Sequence, residues 1–494
     1  MKRREALHTL GAAALGLVAG THDGAASMRP ATSESARAGQ QQAGEILIRG
    51  GRVVNADASF TADVRILGST IAEIGANLTA GAEARIIDAT GQLVIPGGID
   101  PHAHLQGSFV DDLTTGTAAA VAGGITTVGT FAYPQDGENA VEAMNRWLAE
   151  VSRSAIGDVF FHGSTWPPTP EFAELMPDLA ATGQPSHKIF MTRRDFGASR
   201  GALIELLEAA RDAGVVTLMH CEDGVMLAAV LQRLRAEGRT SLRYFAESRP
   251  VIAEVAATQD AVALCELTQA PMHFVHLSSR RALEAARTPH SRELPLTIET
   301  RPLYLYFTEG RFLGEDGPLY VGQPPLRSPS DMDAMWDGLV DGRIDFLATD
   351  HAPWTRAQKM DPELDVSRLR PGVSDLRYMR PVLFSEGVGG GRISEQRFVE
   401  VTSTAAARTF GLYPERGVVR KGSLADIVVF DPRLERIASA DDDPSRSDYT
   451  PFEGRRVTGW PVITIRRGEV VYEGGQVTGR PGSGRPAERR PRQT

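Results

Sequence analysis

Lysine is nearly missing from this chain. Of 53 basic residues only Lys2, Lys188, Lys359 and Lys421 are lysine. A lysine kept inside an apolar segment therefore calls for a chemical reason, because an arginine cannot supply a nucleophilic amine. Cysteine is equally scarce. Cys221 and Cys265 alone exclude a disulfide framework and a cysteine-based zinc site. Net positive charge is lacking too: the formal charge is −9, and with no basic patch in the expected folded part this excludes a nucleic-acid partner. What remains is an ordinary globular composition, 42% hydrophobic and 23% charged over 494 residues. That length suffices for one large domain with a satellite, or for two or three domains.

The N-terminus begins Lys2-Arg3-Arg4 and continues into an apolar run from Gly11 to Ala19. The run is too short to span a bilayer comfortably. A charged start, short apolar core and small residues predict an export signal over 1–27, of twin-arginine type, followed by a linker over 28–44. The protein is then expected in the periplasm or secreted, with no stable membrane insertion after processing, or in the cytoplasm if the signal is not functional.

Short strands separated by Gly, Asp and Asn turns at Glu45–Asn55, Asp63–Leu67 and Ala84–Ile87 predict a β-domain over 45–94. From Ile95 the pattern changes. Apolar strands near Ile99–His104, Thr126–Thr130, Val159–His162, Lys188–Met191, Val215–His220, Met272–His276, Leu296–Thr300 and Phe346–Asp350 alternate with helical stretches. Apolar residues recur at helical spacing in Ala202–Ala213, Val255–Thr268, Ser330–Gly342 and Glu395–Phe410. This predicts an α/β fold, a TIM-like (β/α)8 barrel over 95–412. Lys421–Asp431 and Val462–Tyr472 are strands again, over 413–475. They are assigned with the N-terminal strands to one small β-sandwich built from both ends of the chain. Residues 476–494, rich in Gly, Pro and Arg, are expected to be a disordered basic tail.

The stretch Val94-Ile-Pro-Gly-Gly-Ile-Asp-Pro-His-Ala-His-Leu105 organises the rest. Strand side chains alternate faces, so His102 and His104 point the same way and could share one metal ion. Lys188, His220, His276 and Asp350 stand at or near the ends of further predicted strands. Each has a bland reading alone: a buried ion-pair partner, a helix start, a core histidine, a turn residue. At the C-terminal face of a barrel, where active sites gather, their coincidence outweighs those readings.

The set resembles the amidohydrolase superfamily, and most closely its hydantoinase/dihydropyrimidinase branch, beside allantoinase and dihydroorotase. The carrying motifs are Ile95–His104, Ala122–Val128, Ser186–Met191, Met219–Glu222, Val275–Ser279, Pro324–Arg327, Ala348–Pro353, Leu383–Gly387, Ala425–Pro432 and Gly459–Pro461. The resemblance implies a pair of divalent metal ions, zinc with manganese or cobalt as alternatives. It implies that Lys188 is carboxylated (N6-carboxylysine) and bridges them. One ion would take His102, His104, the carbamate and Asp350; the other would take the carbamate, His220 and His276. A bridging hydroxide would attack the scissile carbonyl, with Asp350 as general base and then general acid. The substrate would be a small cyclic amide, and the branch points to a homo-oligomer, a tetramer or dimer.

The substrate-reading positions depart from the branch. Arg193 stands where a tyrosine stabilises the oxyanion, and is expected to take over that catalytic and substrate-binding role. Gln323 replaces a serine, and Gly372 replaces an asparagine that contacts the ring amide. Leu105 and Gln106 stand near the place where dihydroorotases carry an arginine. Arg193, Arg194 and Arg301 could meet an anionic substrate. Two other readings stay open: hydrolysis of a linear amide or N-acyl amino acid, and a non-catalytic dihydropyrimidinase-like binding protein.

Overall fold

The computed structural model describes residues 44–164 and 168–492. The expected export signal and nearly all of the linker lie outside the described residues. Among the described residues the strands form two sheets. Five strands precede the barrel: β1 (Glu45–Val54), β2 (Ser59–Leu67), β3 (Thr70–Gly75), β4 (Arg85–Asp88) and β5 (Leu93–Pro96). The barrel wall is β6 (Gly98–Asp100), β7 (Ile125–Ala132), β8 (Asp158–Ser164), β9 (Ser186–Phe190), β10 (Val216–His220), β11 (Met272–Phe274), β12 (Leu296–Thr300) and β13 (Phe346–Leu347). The last four are β14 (Ile427–Ile437), β15 (Arg456–Arg466), β16 (Glu469–Glu473) and β17 (Gln476–Val477).

The β-domain is one hydrogen-bonded sheet in the order β17-β16-β15-β14-β5-β1-β2-β3, with β4 beside β1. The two ends of the chain meet where β5 pairs antiparallel with β14. Its buried face gathers Ile48, Val53, Val64, Ile66, Ile427, Val429 and Ile465 into one apolar cluster. These are β-branched residues suited to a pleated, half-buried surface.

The barrel strands pair in chain order, β6 to β13, all parallel. Strands β7, β8 and β10 are buried from end to end, as expected where side chains fill one face and helices cover the other. The ring is completed beyond the strand ends. Ala103 bridges His351, and the His104 N–H donates to the His351 carbonyl at 2.7 Å. Helices Arg200–Asp212, Val251–Thr268 and Pro329–Asp341 overlie the expected ones. The stretch expected as one helix over Glu395–Phe410 passes through a π-helical turn at Glu400–Thr404. Its buried hydroxyls reach outward: Ser403 Oγ donates to Gly97 O at 2.6 Å and Thr404 Oγ1 to Gly417 O at 2.7 Å.

The C-terminal tail is a correction. Residues 478–492 are not a free tail but a strap across the N-terminal end of the barrel. Val159 N–H donates to Arg485 O at 3.0 Å, and Ala487 N–H to Val159 O at 2.8 Å. The Arg489 guanidinium lies 4.6 Å from the Phe160 ring centroid. It donates to Phe161 O at 2.7 Å and Ser186 Oγ at 2.8 Å. A Gly-, Pro- and Arg-rich composition reads as disorder, yet arginine side chains can stack on aromatic faces while their N–H groups find carbonyls. Beside the strap, fully buried Asp158 accepts from Arg416 at 2.6 Å, from Arg467 at 3.0 Å and from the Arg485 N–H at 2.9 Å. Burial alone would raise this carboxyl. Arg416, Arg467 and Arg466 outweigh it and hold it below the ordinary aspartate range.

Candidate active site

All six expected donors line one cavity of about 170 Å³. His102 and His104 follow β6, Lys188 lies in β9, His220 ends β10, His276 follows β11 and Asp350 follows β13. A parallel barrel brings these ends to one face, so residues far apart in the chain become neighbours. His276 and Asp350 carry φ of 41° and 50°. Non-glycine residues rarely adopt that region, and strain of this kind clusters at functional sites.

Five of the six donors are held by neighbouring groups: the side chains of His102, His104, His220 and Asp350, and the backbone of His276. The Asp350 Oδ1 lies 3.1 Å from His104 Nε2 and 3.3 Å from His102 Nε2. Its Oδ2 pairs with Arg301 Nη1 at 3.0 Å. Burial would raise this carboxyl, but Arg301 and the His104 hydrogen bond outweigh burial and hold it below its ordinary value. Glu299 of β12 gathers three groups. Its Oε1 lies 2.5 Å from His102 Nδ1 and accepts from the His276 backbone N–H at 3.2 Å; its Oε2 lies 2.9 Å from His273 Nε2. Burial pushes Glu299 up to about 8, against the pull of Lys188. His104 Nδ1 meets the Tyr133 hydroxyl at 3.3 Å. His220 Nε2 lies 2.7 Å from Glu222 Oε2, and Arg249 pairs with that carboxylate in turn. Asp100 locks the seam, accepting from His102 N–H at 3.1 Å and Thr349 N–H at 3.2 Å.

The donor set fits a metal centre. Ligand atoms of His102, His104 and Asp350 lie within 4.8 Å of one another. Burial holds the His102, His220 and His276 imidazoles below their ordinary range, in the neutral form that binds metals. For His102 and His220 a carboxylate on one ring nitrogen, from Glu299 and Glu222, fixes ring orientation, as outer-sphere carboxylates do in metal sites. Lys188 is 1% exposed, and its Nζ has no hydrogen-bond partner among the described residues. It lies 5.3 and 5.6 Å from the centroids of the Phe190 and Phe131 rings. Burial lowers this amine to about 8. An unpartnered buried amine is costly, and a group bound to it would remove that cost.

A sequence model described as the amidohydrolase family matches residues 93–471. The chain belongs to that family. Within it the likeness is to the hydantoinase branch. The chain is 36% identical over 457 residues to the D-hydantoinase of Geobacillus stearothermophilus, covering 90% of this chain and 96% of the relative. Among solved structures, the D-hydantoinase (dihydropyrimidinase) of Thermus sp. superposes with a TM-score of 0.87 at 32% identity, over 90% of this chain and 99% of that one. The L-hydantoinase (dihydropyrimidinase) of Arthrobacter aurescens gives 0.84 at 27% identity, over 90% and 99%. The nearly closed parallel barrel with a β-sheet domain from both chain ends is the fold expected of this family.

The amidohydrolase site also corrects two expectations. Arg193 does not line the cavity. Its side chain is 52% exposed and pairs with Asp195 at 3.6 Å, while the preceding Thr192 faces the cavity. Arg301 does not line it either. It is fully buried, donates to Thr349 O at 2.8 Å and orients Asp350. Gln323 and Gly372 do line the cavity. Sequence reasoning missed Glu299, Glu222, Tyr133 and Arg249. Glu299 carried a signal: a carboxylate inside an apolar strand must have buried partners. The Pro-Pro-Leu-Arg and His-Leu-Ser-Ser motifs are also explained. Arg327 Nε donates to Ser278 Oγ at 3.0 Å, and Ser278 and Ser279 bond Glu254, which steadies the loop after His276.

Proposed function

We propose that this chain hydrolyses the ring amide of a small cyclic amide of the hydantoin, dihydropyrimidine or allantoin type. One observation carries the reading: four imidazoles, a carboxylate and a buried amine with no hydrogen-bond partner among the described residues converge on one cavity, in a chain similar to hydantoinases. His102, His104 and Asp350 would hold one divalent cation and His220 and His276 a second, zinc with manganese or cobalt as alternatives, joined by Lys188 as its carbamate. Bound there, the cations would lower the pKa of water and polarise the ring carbonyl.

The chain's own groups do the rest. Carbon dioxide adds only to a neutral amine, forming the N–C bond as a proton leaves, and burial brings Lys188 to about 8, so a neutral fraction is present near pH 7. Asp350 stays ionised beside Arg301. Its carboxylate takes the proton of the attacking water and returns it to the departing ring nitrogen. Gln323 offers a donor and an acceptor to the ring –CO–NH–. Phe109, Phe190 and Pro371 supply apolar surface for a ring substituent. We place the enzyme outside the cytoplasm through the Arg3-Arg4 segment, as a homo-oligomer; fusion of that segment to a reporter and light scattering test these points.

The test of function is a panel of hydantoins, dihydropyrimidines, allantoin and N-acyl amino acids, with and without chelator. Chelator-sensitive ring opening is expected. Turnover of N-acyl amino acids alone would replace this reading with linear-amide hydrolysis, and no turnover with a full metal complement would refute both.

A further inference from the structure

Lys359 is a second deeply buried lysine, 2% exposed, and the chemistry above does not use it. It ends the short helix Arg356–Lys359. Its Nζ donates to Val321 O at 2.9 Å, Arg370 O at 2.8 Å and Gly372 O at 2.7 Å. Three carbonyls engage three N–H donors, a number that only the ammonium carries. Burial works against that form and holds the group well below the ordinary lysine range, so the carbonyl cage must do something that a cheaper apolar residue would not.

Of the three acceptors Gly372 lines the cavity, and Arg370 and Val321 stand one and two residues before the lining residues Pro371 and Gln323. The Gly372 N–H donates to the same Val321 carbonyl at 2.9 Å. One ammonium and one backbone bond thus knit segments 321–323 and 370–372 together. Neither segment belongs to a helix or strand, so regular secondary structure does not fix them. Gly372 has φ of +114°, and a Cβ there would meet Ala352 O at 2.2 Å. A Cβ on Gly322 would come within 2.7 Å of Arg301 Nη1, the group that pairs with Asp350. The clamp therefore seats the Gln323 segment on the guanidinium that orients Asp350.

We propose that Lys359 is a positioning residue for the substrate, its ammonium fixing the wall that carries Gln323, Pro371 and Gly372. This rests on the cyclic-amide reading of the cavity. Its loss acts on how the ring is held, and not on metal retention.

The test compares the metal-loaded wild type with Lys359→Met and Lys359→Gln. The readouts are metal content, hydrogen exchange across residues 368–376, and kinetics on unsubstituted hydantoin and a 5-aryl hydantoin. Lys359→Met is expected to keep the wild-type metal content and to exchange faster across 368–376. Losing hydrogen bonds from a charged group should raise KM about tenfold or more with kcat within about threefold. Lys359→Gln, with two N–H donors, should fall between, and it carries the same comparison if Lys359→Met is not recovered folded. Unchanged KM and exchange overturn the proposal, as does metal loss with a matching fall in kcat. Wild type inactive on both rings would sink the cyclic-amide reading, while the exchange comparison would still decide whether Lys359 holds the wall.

Discussion

Glu299 gives the sharpest prediction about how the site is held. Fully buried, it serves His102 Nδ1 and the His276 N–H through Oε1 and His273 Nε2 through Oε2. With the carboxyl near 8, the protonated acid is within reach at neutral pH, donating from Oε2 to His273. Glu299→Gln copies that form. Its Oε1 accepts from His102 and His276, and its Nε2 donates to His273, whose Nδ1 can donate to Thr297 Oγ1 at 2.9 Å. Relative to the ionised carboxylate, only charge is lost. The difference between a charge-assisted and a neutral bond is about 1–1.5 kcal/mol, so metal affinity should fall about tenfold. Glu299→Ala leaves two buried N–H donors without an acceptor, about 1–3 kcal/mol each, and disorients ligands of both proposed cations. It should lose metal about a hundredfold or more. The assay is metal content by mass spectrometry after dialysis against graded chelator, with thermal unfolding alongside. If Glu299→Gln loses metal as completely as Glu299→Ala, the hydrogen-bond reasoning is wrong. If neither loses metal, Glu299 does not orient the ligands.

Three further outcomes follow. Arg249→Met strips Glu222 of its buried cation; breaking such a pair costs about 3–5 kcal/mol, and turnover should fall with stability, read by chemical denaturation. Asp158→Asn should destabilise the junction of barrel, β15 and strap by a similar few kcal/mol without lowering kcat of the folded fraction. Because the folded Asp158 pKa is depressed, its contribution is present above the unfolded aspartate range and is lost as pH falls through the folded value. The wild-type advantage over Asp158→Asn should therefore shrink in acid, and an advantage that grows in acid would contradict the ion-pair account. Gly372→Ala forces a Cβ into Ala352 O at a left-handed φ, a strain of about 1–3 kcal/mol, and should raise KM more than it lowers metal content.

Much of this was legible in the sequence because the barrel repeats a simple pattern. Eight apolar strands ending in polar residues name both the fold and the face that carries the site. His102, His104, Lys188, His220, His276 and Asp350 each have a bland reading alone, and stood out because they coincide at the ends of predicted barrel strands. What supports them did not stand out. Glu299 lies one residue before the end of β12, and only tertiary contact shows that its partners are His102 and His273. Arg193 and Arg301 show the reverse error. Both are arginines near the site in sequence, but one is half-exposed beside Asp195 and the other is sealed behind Asp350; one-dimensional spacing cannot separate these fates. The strap misled because its stability lies in contacts with Val159, Phe160 and Phe161, far away in the chain.

The most direct measurement is metal counting on protein prepared with bicarbonate and zinc, for wild type and Lys188→Ala. The account predicts about two cations per wild-type chain, with a carbon-13 carbamate signal from labelled bicarbonate, and loss of both signal and cations in Lys188→Ala. A wild-type chain without the carbamate signal, or a Lys188→Ala chain that keeps its full metal complement and turnover, would contradict it.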